Sequence, residues 1–153
     1  MDIRNSVAER PSWDDIFMDM AALVAQRSTC TRKQTAALLV RDNRIISMGY
    51  NGTPSGTPHC CERAPPDPAD HHEWSAANEL HGEMNAILYA ARIGVSPVGA
   101  DLYTLLSPCI NCAKTIYTVG IRRVIFRELY TRDLRGLDFL DRHRVTVEHK
   151  LSL

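Results

Sequence analysis

A chain of 153 residues that is 44% hydrophobic and 24% charged has the make-up of one globular domain, read here as residues 1–153, and excludes disorder and low complexity. Lys plus Arg equal Asp plus Glu at 18 each, so the basic excess of a protein that lives on phosphate backbones is missing and no nucleic-acid partner is expected. No apolar run is long enough to span a bilayer, and Met1-Asp2-Ile3-Arg4-Asn5 lacks the apolar core of a signal peptide, so no membrane partner and a cytoplasmic location are expected.

In chain order, Ser12 precedes Trp13-Asp14-Asp15 and an apolar series of Ile16, Phe17, Met20, Leu23 and Val24, which predicts a capped amphipathic helix ending near Arg27. Residues 36–40 and 44–48 read as two strands joined at an Asp42-Asn43 turn. From Tyr50 to about Ala77 the chain reads as a long loop, carrying Gly52, Pro54, Gly56, Pro58, Pro65, Pro66 and Pro68. Leu80, Met84, Ile87, Leu88 and Ala91 predict the buried face of a helix closed by Gly94. A strand is expected over 101–105. Ser107 is then expected as N-cap, and Pro108 as first residue, of a helix running to Gly120 with Tyr117 in the core. A strand over 123–126, a short helix over 134–140 and a last strand over 145–148 complete an α/β layer fold, a leading hairpin followed by parallel strands.

Five cysteines (Cys30, Cys60, Cys61, Cys109, Cys112) are an odd count without an export signal, which favours metal binding or reactive thiols over a disulfide scaffold. Cys109 and Cys112 are three apart, so on a helix they share a face, and in its first turns the macrodipole favours thiolates. With His81 they make three zinc ligands and leave a tetrahedral position open, the arrangement of a catalytic site. Glu83 follows two residues after His81. Mid-helix, that spacing would turn the two side chains about 200° apart. Both reach one metal only if His81 stands at or just before the helix start, where Glu83 can shuttle protons. A buried thiol pair or half of a structural zinc site is the alternative for Cys109 and Cys112 alone.

His81-Gly82-Glu83 with Pro108-Cys109-Ile110-Asn111-Cys112 matches the H-x-E, P-C-x-x-C signature of zinc deaminases. With Gly49-Tyr50-Asn51-Gly52-Thr53-Pro54-Ser55-Gly56, Arg27-Ser28, Cys112-Ala113-Lys114 and Gly120-Ile121-Arg122-Arg123-Val124, the chain resembles the deoxycytidylate deaminases from about Trp13 to Val147. Cys30, Cys60-Cys61 and Glu73-Trp74-Ser75 look most like the tailed-phage branch. The resemblance implies a cytidine-deaminase-like three-layer α/β/α sandwich with a five-stranded mixed sheet. It implies hydrolysis of dCMP to dUMP and ammonia for thymidylate synthesis, in the cytoplasm of a bacterium or a phage-infected host. It also implies a homohexamer, with dCTP and dTTP as effectors accompanied by magnesium.

Carried over by residue, the resemblance makes His81, Cys109 and Cys112 the ligands of the catalytic zinc and Glu83 the proton shuttle. Asn51, Tyr130 and Arg27 are then the substrate contacts, with Arg27 assigned to the phosphate. A second, structural zinc falls on Cys30, Cys60, His71 and Glu79 and would clip the loop at about 50–78; Cys61 is an alternative to Cys60. One departure stands out. Where the family usually reads Val-Gly-Ala, this chain has Thr35-Ala36-Ala37, so close backbone packing near the nucleotide and effector binding are in question. Deamination of dCTP, of a modified dCMP, of cytidine or of adenosine in tRNA are rival chemistries, and a non-catalytic zinc module is a rival class with no use for Glu83.

Overall fold

The computed structural model describes residues 10–151; the amino-terminal segment read above for a signal peptide lies outside them. Ser12 caps helix α1 (Trp13–Ala25) in a full capping box, its hydroxyl accepting from the Asp15 N–H while Asp15 reaches back to the Ser12 N–H. Strands β1 (Ala36–Arg41) and β2 (Arg44–Tyr50) form a hairpin. Its two turn residues, Asp42 and Asn43, both take the left-handed backbone that a two-residue turn requires, at φ 53° and 54°.

The stretch read as one long loop contains two short helices, α2 (Cys60–Arg63) and α3 (Pro68–Asn78). Asp67 caps α3 through the Ala69 and Asp70 N–H groups, and Pro68 occupies its first turn. The density of prolines hid this start signal. Helix α4 (Gly82–Arg92), strand β3 (Asp101–Leu106), helix α5 (Ile110–Thr118), strand β4 (Arg123–Glu128), helix α6 (Arg135–Arg142) and strand β5 (Thr146–His149) follow.

The sheet order is β2-β1-β3-β4-β5. β1 is antiparallel to both neighbours, and β3, β4 and β5 run parallel. Alternation along β1 sends Leu38 and Val40 to one face, where they pack with Tyr103 and Ile125 against Phe17, Met18 and Ala21 of α1. Ala37 and Leu39 face the other way, into a core completed by Ala86, Ile87 and Ala90 of α4, Ala113 and Ile116 of α5 and Leu140 of α6. The result is a three-layer α/β/α sandwich. The inward stripe of α4 is therefore Ala86, Ile87 and Ala90, while Leu88 and Ala91, expected inside, are exposed. Tyr117 is 47% exposed and lies edge-on to Phe139, not in the core. Because β1 opposes β3, one end of the sheet collects the amino end of β1 and the carboxyl ends of β2, β3 and β4, the end where α/β sheets expose loop backbone to ligands.

Candidate metal and nucleotide site

At that end the two helix beginnings meet. His81 is the N-cap of α4, with extended backbone (φ −68°, ψ 156°), and Glu83 sits one turn-step inside the helix. The expected placement holds, and the angular conflict between residues two apart disappears because His81 leaves the helical path. Cys109 is likewise the N-cap of α5 (φ −68°, ψ 169°), and Cys112 is its third helical residue. The helix thus begins two residues later than Ser107-Pro108 predicts. Ser107 does another job: its hydroxyl accepts the Tyr130 N–H at 2.8 Å and so fixes Tyr130 beside the site. The His81 Nδ1 lies 3.5 Å from the Sγ of both Cys109 and Cys112, and the three donor atoms all fall within 4.8 Å of one another.

Electrostatics follow from this crowding. The hydrogen bond with Cys112 holds the Cys109 thiol down at about 4, His81 adding to the effect, while Cys112 is pushed far up by the same shared proton and by burial. Hydrogen bonding to Cys109 raises the His81 imidazole to about 9 against the opposing cost of burial. Glu83 is 5% exposed, and burial pushes its carboxyl up against the opposing charge of His81.

The scaffold holds the cysteines from behind. Asp133 accepts the Ile110 N–H at 3.0 Å and is itself gripped by Arg135, whose Nε and Nη2 lie 2.8 and 3.2 Å from its two oxygens. Those bonds keep the Asp133 carboxyl at about 2. Gly136 packs on the Pro108–Cys109 peptide so closely that a Cβ there would lie 2.8 Å from the Cys109 carbonyl carbon. Gly82 does the same for α4: a Cβ would sit 3.0 Å from Ala36 Cα and 3.2 Å from Ala37 N. Close backbone packing at Thr35-Ala36-Ala37 is thus retained. The close approach of backbones survives without a strand glycine because the helix supplies one, and Ala36 falls on the opposite face with Leu38 and Val40.

A cavity of about 360 Å³ opens over this cluster, lined among others by Thr35, Asn51, His81, Glu83, Cys109 and Tyr130. Asn51 is buried, and its amide is committed to the loop before β1: Oδ1 accepts the Thr35 N–H at 2.9 Å and Nδ2 donates to the Lys33 carbonyl at 2.8 Å. The Thr35 carbonyl in turn accepts the Asn51 N–H. Thr35 is thereby fixed, yet its Oγ1 is buried in the cavity lining with no protein partner. Sequence reasoning treated this residue only as a departure; a hydroxyl where an aliphatic side chain is usual was the available signal. Arg27 is exposed beyond the end of α1 and does not line the cavity, so its assignment to a phosphate is not supported by its position. Arg32, Lys33 and Arg132 line it instead.

The same cavity reaches a second cluster. The donor atoms of Cys30, Cys60 and His71, all buried, lie within 4.8 Å of one another, with Cys60 Sγ 3.2 Å from His71 Nε2. Cys61, left open beside Cys60 by the sequence, is exposed and turns away. Glu79 stands next to this trio rather than inside it. Its Oε2 accepts from Ser75, and its Oε1 is buried without a partner. Its charge joins burial in pushing the Cys30 thiol up. The main-chain pair of Gly52 with Leu80, at 3.1 and 2.8 Å, ties the loop after β2 to the residue before His81 and so joins the two clusters mechanically. No helix among the described residues is long and apolar enough to cross a membrane.

Comparison with known proteins agrees with this geometry. The family described as "Cytidine and deoxycytidylate deaminase zinc-binding region" matches residues 11–128. The ComE operon protein 2 of Bacillus subtilis is 40% identical over 92% of this chain and 72% of its own length. The deoxycytidylate deaminase of Enterobacteria phage T4 is 35% identical over 79% of this chain and 80% of its own. Among solved structures, the dCMP deaminase of cyanophage S-TIM5 in complex with dCMP and dUMP superposes with a TM-score of 0.79 at 33% identity, covering 92% of this chain and 98% of that one.

Proposed function

The chain belongs to the cytidine and deoxycytidylate deaminase family, and we propose that within it the protein hydrolyses dCMP to dUMP and ammonia. The observation that carries this reading is the pairing of an open His81, Cys109 and Cys112 triad with a buried Glu83 inside one nucleotide-sized cavity. The T4 phage relative and the cyanophage structure, which match over most of the chain, bear that activity in their names.

One imidazole and two thiols, with no fourth protein donor in the cluster among the described residues, suit a zinc ion held by His81, Cys109 and Cys112. Bound there, zinc would act as a Lewis acid and bring the pKa of water down to about 7. The positive end of α5 favours the thiolate form of Cys109. Glu83, kept protonatable by burial, carries a proton to the ring nitrogen N3 and then to the departing amine. Asn51 shapes the floor of the cavity by pinning Thr35, and Tyr130, held by Ser107, forms a wall beside the base.

The second cluster fits a further, structural zinc on Cys30, Cys60 and His71, with the unpartnered Oε1 of Glu79 as the fourth donor. Homohexameric assembly and control by dCTP and dTTP with magnesium belong to the same reading. The exposed Leu88 and Tyr89 of α4 and Ile93 just after it, with Met48 and Tyr50 exposed on the edge strand β2, support assembly.

The test is a panel of dCMP, dCTP, 5-substituted dCMP and cytidine, each with and without dCTP and dTTP, on wild type and Glu83→Gln. The expected outcome is preference for dCMP and a loss of about 10²–10⁴-fold in Glu83→Gln with zinc retained. Ammonia release unaffected by that substitution removes the enzymatic reading and leaves a zinc module. Preference for dCTP moves the substrate.

A further inference from the structure

We infer that Arg132 is the residue that reads the 5′-phosphate, so that the site selects a pyrimidine nucleoside monophosphate over the free nucleoside. This deepens the proposed deamination and rests on it.

The cations around the cavity differ in what each already holds. Arg32 donates through Nη2 to the Pro66 carbonyl. Lys33 is paired with Glu128 at 2.7 Å. Arg135, on the adjoining wall, is spent on both oxygens of Asp133. Arg27 lies outside the lining. Arg132 lines both the main cavity and the adjoining one around Asn111 and Arg135, and among the described residues it has neither a hydrogen bond nor an ion pair.

Its backbone is nevertheless well placed. Tyr130, two residues before, is fixed by its N–H to Ser107, and Asp133, the next residue, by the Ile110 N–H and Arg135. Arg132 is thus an uncommitted guanidinium on an anchored segment, near enough that its charge opposes the burial that pushes the Tyr130 hydroxyl up. Glu83, Cys109 and Arg132 line the same cavity, so a nucleotide whose base meets Glu83 and Cys109 has Arg132 on the wall around its remaining groups. A planar two-donor fork there matches phosphate oxygens, and nothing in the protein competes for it. Lys33 and Arg32 each already hold a partner that Arg132 lacks.

The experiment compares zinc-loaded wild type, Arg132→Gln, Arg132→Lys and Arg27→Gln. It measures kcat/KM for dCMP and for deoxycytidine, and binding of dUMP and deoxyuridine by titration calorimetry. For Arg132→Gln the ratio of the two kcat/KM values is expected to fall about 10- to 100-fold, the range for losing a charged hydrogen-bonding partner. Binding of dUMP should weaken by a similar factor while deoxyuridine binding holds. Arg132→Lys should recover part of the loss, and Arg27→Gln should match wild type. Selectivity and dUMP affinity unchanged in Arg132→Gln, or a loss shared equally by nucleoside and nucleotide, overturns the inference. Wild type that deaminates neither substrate sinks the deamination reading instead, and dUMP against deoxyuridine binding then still decides the role of Arg132.

Discussion

Two clusters of the same donor types sit at opposite ends of one cavity, and they are held by opposite means. His81, Cys109 and Cys112 stand at the starts of α4 and α5, helices whose Ala86, Ile87, Ala90, Ala113 and Ile116 are locked into the main core. Cys60 and His71 stand on α2 and α3, and each is the single buried side chain of its helix. Remove the donors from the first pair of helices and an apolar face still docks them. Remove them from the second pair and no buried apolar contact is left to compensate. The first cluster is a site placed on a fold; the second, with a metal bound as proposed above, would hold its own segment together.

Stripping metal should therefore separate the two regions, and it is the largest effect expected. Bound structural zinc contributes an apparent ~10–16 kcal/mol in small zinc domains, far more than α2 and α3 bury in apolar area. The chain carries one tryptophan on each side, Trp13 on α1 and Trp74 on α3. A chelator, or His71→Ala, should shift Trp74 emission and open residues 51–79 to protease, while Trp13, stacked on Phe17, keeps its native signal. Simultaneous change of both reporters breaks the contrast.

The catalytic side should break through packing. Gly136→Ala forces a methyl against the Cys109 carbonyl and displaces either α6 or the cysteine. Overpacking of this kind costs about 1–3 kcal/mol. A shift of about 1 Å at Cys109 costs roughly 10²-fold in activity. Zinc counting should find the second cluster still loaded. Full activity with a normal melting temperature would show that α6 does not position Cys109.

The same contrast explains what could be read from the sequence. Helices α1 and α4 and all five strands are visible because period and caps agree: Ser12 with Asp15 at α1, left-handed Asp42-Asn43 at the hairpin. The placement of His81 follows from the geometry of Glu83 two residues on, with no structure needed. Helices α2 and α3 are invisible because their buried side chains are Cys60 and His71 and not an apolar stripe, so periodicity carries no record of them. The start of α5 is misread because Ser107 and Pro108 form a good start signal that tertiary contacts override, Tyr130 taking the Ser107 hydroxyl and Asp133 the Ile110 N–H. Arg132 escaped because its distinction is to lack a partner, which only coordinates can show.

Acid should loosen the α1 side in a defined direction. Hydrogen bonds from Arg123 hold Asp14 below the ordinary carboxylate range against the opposing effect of burial, and the same guanidinium lowers Glu148. Both carboxyls are more acidic folded than unfolded. Their contribution is thus complete above about pH 4.5 and is lost as pH falls through the folded values. Both groups are partly exposed, so salt should blunt the effect. In a Trp74→Phe protein the urea midpoint read from Trp13 should fall between about pH 5 and pH 3, and Asp14→Asn should flatten that fall. A midpoint as acid-sensitive in Asp14→Asn as in wild type removes Asp14 from the account.

The smallest effect expected is the sharpest on the contrast, because each cluster has an orphaned oxygen on the cavity wall beside it. Glu79 Oε1 and Thr35 Oγ1 are both buried without a protein partner. On the metal-held side, Glu79→Gln should lower zinc retention at the second cluster and leave dUMP binding intact. On the packed side, Thr35 is already fixed through its N–H and carbonyl to Asn51, so its hydroxyl adds nothing to the free protein. Thr35→Val keeps the shape and removes a polar atom buried without a bond, which should leave the unfolding free energy unchanged or raise it by up to about 1 kcal/mol. If the hydroxyl serves the nucleotide, dUMP affinity should fall about 10-fold in the same variant. Unchanged affinity would leave Thr35 as a plain substitution in the wall. Weaker affinity with undiminished stability would mark the orphan as built for its ligand, because a residue that serves the fold cannot be lost at no cost to folding.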